Sequence, residues 1–213
     1  RTRIDMLFVI NLAARFLHLP TQKHLDLVRN RTLRYLKGTR FWGITFTRGE
    51  CLLSAESDAA FADDLRSCRS TRGHYLRLGN GIICANCTLE RKICTSTQQS
   101  ETYGMGAACR DIEYARLLLA DLGEPQRSPT PLGTDNQGAY NQSTKQVNHA
   151  TAKHFRVTQA YIRNLGNDKV IQVGKVTSAD NHADIFTKPL PYAAFARHRA
   201  ALMGPQAPPS PAR

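Results

Sequence analysis

The sequence predicts an α/β fold: a mixed sheet of about five strands with helices on its faces, preceded by a small helical segment. Three observations carry that expectation. GHYLRL (73–78) and IICANC (82–87) flank Gly79-Asn80-Gly81 and read as a hairpin with a tight turn. Met105, Ala108, Ile112, Ala115, Leu119 and Leu122 recur at three- and four-residue steps, the spacing of one helix face. From Pro129 onward, strand-like and helix-like runs alternate.

Taken in order, residues 4–17 and 21–37 predict two helices. Thr21 after Pro20 is placed to cap the second, and Gly38 to stop it. FWGITF (41–46) and CLLSAESDA (51–59) read as strands, and RKICTS (91–96) prolongs or follows the second arm of the hairpin. The long helix spans 101–122 and ends at Gly123. A short strand runs from Pro129 to Thr134, and Asn136 caps the helix that follows. Residues 150–165 are helical and stop at Gly166; KVIQVGKV (169–176) is a strand. A last helix covers 180–187, ended by Lys188-Pro189. PQAPPSPAR (205–213) has the composition of a disordered Pro-rich tail.

With 213 residues the chain is long enough for one medium domain and an appendage, divided here as 1–40, 41–204 and 205–213. The run Ile4 to Leu19 is interrupted by Asn11, Arg15 and His18, too polar to span a bilayer, and it lacks a signal-peptide cleavage pattern. An intracellular protein, in cytoplasm or nucleus and without a membrane partner, is the expectation. The start at Arg1 reads as a piece of something longer. Net charge is +12, and residues 1–40 hold nine Lys/Arg against two Asp. Such a bias points to phosphate polymers as partners. Of the six cysteines, Cys84 and Cys87 have the spacing of half a zinc site, but no second half follows. Free thiols packed as small hydrophobes are the preferred reading.

Four acids stand out by their contexts: Asp58 in SESDAAFADD, Glu101 in STQQSETYGMG, Asp135 in PLGTDNQGAY and Asp184 in NHADIFTKPLP. Asp58 and Asp135 each close a strand-like run; Glu101 and Asp184 sit at or near the start of a helical one. A fold that brings strand ends and helix starts to one edge of a sheet gathers four carboxylates. Such a cluster repels itself unless cations neutralise it. Hard divalent ions suit all-oxygen ligands, Mg²⁺ first and Mn²⁺ as its substitute. Two such ions about 4 Å apart are the standard device for in-line cleavage of a phosphodiester.

The landmarks YLKGT (35–39), SDAAFADD (57–64), RSTRGHYLRLGNG (69–81), STQQSETY (96–103), TDNQGA (134–139), AKHFRV (152–157) and ADIFTKPLP (183–191) carry a resemblance. In order and spacing, the run from about 41 to 190 resembles the ribonuclease H domain of copia-type retrotransposon polyproteins. ADIFTKPLP is the most specific of these motifs. The stretch before it, through YLKGT, looks like the C-terminal end of the family's reverse transcriptase. The resemblance implies an RNase H-like fold and endonucleolytic hydrolysis of the RNA strand of an RNA–DNA hybrid. It implies two Mg²⁺ ions held by Asp58, Glu101, Asp135 and Asp184, and the remainder of a polyprotein as partner. The chain departs from the family pattern at Phe61, at Gln99 to Thr102, at Ala85, Thr88 and Leu89, and at Arg156. No polymerase acid pair, integrase or capsid segment is present in the sequence.

Beside this set, Glu56, Asp63 and Asp64 read as carboxylates balancing nearby arginines. Asn136 and Gln137, adjacent to Asp135, suit a 2′-OH or a base edge, and Asn136 also suits a helix cap. Lys153, Arg156 and Arg163 suit phosphates. His182, two residues before Asp184, is a candidate general acid or base or a surface His; His149 and His154 face solvent or phosphate. Lys188 lies close to the proposed site and also suits a helix cap. The alternative function is a catalytically dead RNase H-like remnant that only binds nucleic acid, which the departures around Glu101 support.

Overall fold

The computed structural model describes residues 2–144 and 153–206. Five strands form one mixed sheet: β1 (Leu53–Asp64), β2 (Arg69–Leu78), β3 (Gly81–Leu89), β4 (Thr130–Thr134) and β5 (Ile171–Lys175), in the spatial order β3-β2-β1-β4-β5. β1, β2 and β3 pair antiparallel as two consecutive hairpins, whereas β1–β4 and β4–β5 are parallel. Gly79 takes φ +59 in the turn between β2 and β3, a conformation that favours glycine. The parallel pairs need crossovers, and helices supply them. α4 (Thr97–Asp121) lies between β3 and β4; α5 (Gln137–Thr144) and α6 (Lys153–Asn167) lie between β4 and β5.

Side chains alternate across a strand, so each face builds its own core. Leu76 of β2 joins Leu53, Ala55, Met105, Ile112, Leu132 and Ile162 under α4 and α6. Its neighbour Tyr75 joins Ile4, Ile82, Phe186, Leu202 and Met203 on the other face. The residues predicted for the inner face of α4 are buried from Met105 to Leu119 as their spacing requires, whereas Leu122, placed on the same face, lies just past the helix end and is 69% exposed. Gly106 admits α6 closely, since a Cβ there would lie 2.6 Å from Thr158 Cγ2.

Several elements differ from the sequence expectation. FWGITF forms no strand: Thr45 N–H donates to Met203 O at 2.9 Å, and Gly43 exchanges hydrogen bonds with the Gln206 side chain. Three of its backbone groups are thus paired with Met203 and Gln206, and Trp42 and Ile44 pack on the second core. The run 91–96 lies outside the sheet. α4 begins four residues earlier than expected, because Ser96 caps it by accepting from Gln99 N–H at 3.1 Å. Where a helix over 180–187 was expected, a short 3-10 turn, His182–Phe186, is followed by α7 (Tyr192–Met203).

At the N-terminus, a 3-10 turn leads into α1 (Leu7–Ala14). Then α2 (Gln22–Leu27), a π-helical stretch over Val28–Leu33 and α3 (Arg34–Gly38) form one continuous run. Thr21 caps α2, as its position after Pro20 predicts. The second core runs across residue 40, since Ile4 is buried in it and Leu7 and Phe8 pack against it. Asn11 donates to the Cys87 carbonyl of edge strand β3 at 3.2 Å. Cys84 and Cys87 lie on opposite faces of β3, which rules out the half-zinc reading of their spacing: Cys84 packs on the first core and Cys87 in the second. The expected Pro-rich tail from residue 207, together with His149, lies outside the described residues.

Candidate active site

β1 and β4 stay paired as far as Glu56–Gly133, and β4 ends at Thr134. That level is the carboxyl end of the two parallel strands, where sheets of this kind place ligands. Asp58 lies two residues beyond it on β1, 1% exposed. It sits in the middle of β1 rather than at its end, because β1 runs on to Asp64. Asp135 follows β4 directly. Glu101 enters from the second turn of α4, 4% exposed, not from the first turn as expected.

Asp184 arrives on the 3-10 turn, and two small features place that turn. Asn181 caps it by accepting from Ala183 N–H at 3.2 Å, and donates to the carbonyl of Ser57, the neighbour of Asp58, at 3.2 Å. Gly73, the β2 partner of Asp58, leaves room for the turn to lie on the sheet: a Cβ there would stand 2.5 Å from Phe186 Cβ. Thr187 donates to Asp58 Oδ2.

The four acids gather despite sequence gaps of 43, 34 and 49 residues. Carboxylate oxygens of Asp58, Asp135 and Asp184 lie within 4.8 Å of one another. Glu101 is close enough to feel the charges of Asp58 and Asp135. Burial pushes the Asp58 carboxyl up to about 6; Asp184 and Asp135 add to the rise, while Lys188 and the Thr187 hydroxyl oppose it. Burial, then Asp58 and Asp135, push Glu101 up to about 9. Lys188 Nζ lies 2.7 Å from Asp184 and 3.3 Å from Asp58. Partial burial works against its charge, but the two carboxylates outweigh that and raise its pKa.

A divalent cation fits this donor set. The ligands are all oxygen, four formal negative charges face one ammonium, and Glu101 Oε2 is buried without a hydrogen-bond partner. Neighbouring acids have other duties. Asp63 and Asp64 pair with Arg15 at 3.3 and 3.6 Å, and Glu56 accepts from His182 N–H at 2.8 Å. The His182 ring stands 2.9 Å from the His198 ring, nitrogen to nitrogen.

Asn136 caps α5 by accepting from Ala139 N–H at 2.9 Å, and Gln137 accepts from Lys175 Nζ at 2.6 Å; both adjoin Asp135. Arg156 is exposed and Arg163 half-buried on α6, whereas the Lys153 and His154 side chains lie outside the described residues. Sequence reasoning missed Asn181, Thr187 and Gly73. The signal for Asn181 was its residue type, a preferred cap just before HADIF.

No protein-family model matches the chain. It is 31% identical over 210 residues to the retrovirus-related Pol polyprotein from transposon RE1 of Arabidopsis thaliana, an alignment covering 98% of this chain and 14% of that one. It is 31% identical over 195 residues to the corresponding polyprotein from transposon RE2 of the same plant, covering 91% and 13%. The chain thus spans about one seventh of the length of these relatives. Among solved structures it is similar to RNase H1 from Halobacterium salinarum, with TM-score 0.43, 20% identity and coverage of 63% and 93%. It is also similar to an N-terminal RNase H domain from Mycobacterium tuberculosis, with TM-score 0.46, 12% identity and coverage of 71% and 99%. The similarity to the transposon polyproteins extends over nearly the whole chain. The chain belongs to the retrovirus-related Pol polyproteins of transposons, as one region of them.

Proposed function

We propose that this region hydrolyses the RNA strand of an RNA–DNA hybrid, using divalent cations held by Asp58, Glu101, Asp135 and Asp184. The observation that carries this reading is the convergence of Asp58, Asp135 and Asp184 oxygens within 4.8 Å, beside the unpartnered buried oxygen of Glu101. Two Mg²⁺ ions, or Mn²⁺ in their place, would lower the pKa of a bound water and stabilise charge on the phosphoryl and leaving oxygens. The chain's own residues supply position. Asp58 is held by β1 and the Thr187 hydroxyl, Glu101 by the Ser96-capped start of α4, Asp135 by the end of β4, and Asp184 by the Asn181-capped turn. Packing around Asp58 and Glu101 keeps bulk water from their inner oxygens, which strengthens their hold on a cation.

Substrate recognition is proposed from the flanks. Asn136 and Gln137 stand beside Asp135, where an amide can meet a 2′-OH, the group that distinguishes RNA from DNA. Lys153, Arg156 and Arg163 belong to one helix and suit the phosphate backbone. The region would act as part of a longer polyprotein, on an intracellular hybrid in cytoplasm or nucleus. Among the described residues, no helix is long and apolar enough to cross a membrane.

A second reading, a fold that binds nucleic acid without cleaving it, is favoured by one observation: the Lys188 ammonium is seated between Asp58 and Asp184. Incubating a labelled hybrid with the chain, in Mg²⁺ and in chelator, separates the two. Metal-dependent RNA fragments support hydrolysis; intact RNA with undiminished binding supports the second reading.

A further inference from the structure

A second group of metal-ligating side chains lies under α4, apart from the four acids. His74 on β2, Cys84 on β3 and Asp111 on α4 each offer one ligand atom, and these atoms lie within 4.8 Å of one another. His74 Nε2 is 2.7 Å from Asp111 Oδ2, and Cys84 Sγ donates to the same oxygen at 3.5 Å. Sheet register explains the meeting. Cys84 pairs with Leu76, and His74 stands two residues along β2 from Leu76, so both point to the face that α4 covers. A cavity of about 310 Å³ opens onto Cys84 and Asp111, lined also by Ile4, Ile82 and Asn86. His74 is 2% exposed.

We propose that His74, Cys84 and Asp111 form a cation site for Zn²⁺, or an ion of similar softness, with its fourth position facing this cavity. The donor set selects the ion. A thiolate and an imidazole suit Zn²⁺ and are poor ligands for Mg²⁺. Charge balance favours it as well. One thiolate and one carboxylate neutralise a dication, so the unit carries no net charge into the protein. The order Asp111 between His74 and Cys84 does not suit a nucleophilic cysteine, which needs the imidazole next to the sulfur.

On binding, the Cys84 thiol proton leaves to solvent. Asp111 is already ionised, held below its usual pKa by the His74 hydrogen bond. The His74 ring gives up to solvent the Nε2 proton it shares with Asp111 and takes one up on Nδ1, so it stays neutral and coordinates through Nε2. That Nδ1 is buried and has no hydrogen-bond partner. A ligating histidine without such support loses roughly 10–100-fold in affinity, so the site is expected to bind more weakly than a fully supported structural zinc. The bound ion would pin β2 and β3 to α4, the helix that carries Glu101. The proposal is independent of hydrolysis, because none of the three ligands belongs to the four-acid cluster.

The test uses the whole chain, reduced and stripped with chelator, and titrated with Co²⁺ as a spectroscopic stand-in. One equivalent should bind with a thiolate-to-cobalt charge-transfer band in the near ultraviolet, and Zn²⁺ should displace it. Cys84→Ser should abolish the band. Asp111→Asn, at a half-exposed position that leaves the core intact, should weaken binding at least tenfold. Glu101→Gln and the exposed-thiol variant Cys68→Ser should keep both band and affinity. Zn²⁺ should also raise the melting temperature of the unmodified chain, and by more than that of Asp111→Asn at the same concentration. Absence of a band in the unmodified chain, or a band unchanged in Cys84→Ser, overturns the site. So does equal affinity and equal melting shift in Asp111→Asn.

Discussion

The Lys188 ammonium lies 2.7 Å from the Asp184 carboxylate, one helical turn back in the sequence. It also lies 3.3 Å from Asp58, so one side-chain cation balances part of a four-carboxylate cluster. A divalent ion entering between these two acids must compete with it. Lys188→Met is therefore expected to tighten Mn²⁺ or Mg²⁺ binding by about tenfold, the worth of roughly one unit of pKa in like-charge repulsion. The same variant should be less stable in chelator, because the acids then face one another unbalanced. Calorimetric titration and thermal melting with and without chelator measure the two effects. Unchanged cation affinity would show that Lys188 does not occupy cation space.

Gly73 and Phe186 meet where no Cβ fits. Gly73→Ala must push the 182–186 turn off β2, and Asp184 travels with it. Overpacking of this kind costs about 1–3 kcal/mol. Cleavage should fall more than stability explains, because the displaced group is a proposed ligand. Denaturant melts compared with cleavage rates under fully folded conditions check this; a stable Gly73→Ala with full activity would place the turn elsewhere.

Buried Asp58 and Glu101 give a pH dependence of definite sign. Their folded-state pKa values, about 6 and about 9, stand above the ordinary 3.8 and 4.5, so the folded protein holds protons that the unfolded chain releases. That contribution is complete below the ordinary values and is lost as pH rises through about 6 and then about 9. In chelator, stability should decline across this window. With saturating Mg²⁺ the decline should flatten, since ionised acids are what the cation binds. Urea melts from acid to mildly alkaline pH, with and without Mg²⁺, test both; a chelator profile that rises through the window would contradict the assigned environments.

Much of this was legible in the chain. The face of α4 followed from Met105, Ala108 and Ile112, and the hairpin from Gly79-Asn80-Gly81, because period and turn chemistry are local. The FWGITF strand failed because its alternation is real but its partners, Met203 and Gln206, lie far along the sequence. α7 was missed after Pro191, although its Ala-rich run favours a helix. Contexts named the four acids, but not how they meet. That depends on Asn181, whose amide joins the Asp184 turn to the Ser57 carbonyl, and on the space at Gly73, both set by tertiary contact. The same limit hid His74 and Asp111, whose partnership with Cys84 exists only through sheet register and helix placement.

Arg29, Arg31, Arg34 and Lys37 are exposed on the N-terminal helical run. If they touch the hybrid backbone, replacing them with Gln should lower affinity and reduce the slope of log K against log salt by roughly one for each phosphate no longer neutralised. Because Ile4 is buried in the core, these replacements are a cleaner probe than deletion of the segment. Salt titrations of hybrid binding decide it, and an unchanged slope would remove the helices from the nucleic-acid track.

Asp135→Asn tests the metal-dependent nuclease most directly. It preserves size and removes one negative charge from the cluster. Cleavage of a labelled RNA–DNA hybrid and hybrid affinity are measured for both proteins, in Mg²⁺ and in chelator. Cleavage by the unmodified chain should require Mg²⁺ and should fall roughly a hundredfold or more in Asp135→Asn, since a direct ligand matters at least as much as its supporting shell. Affinity in chelator should hold or tighten, because one repulsion against the phosphates is gone. Equal cleavage by the two proteins, or no cleavage by either with binding intact, would contradict it.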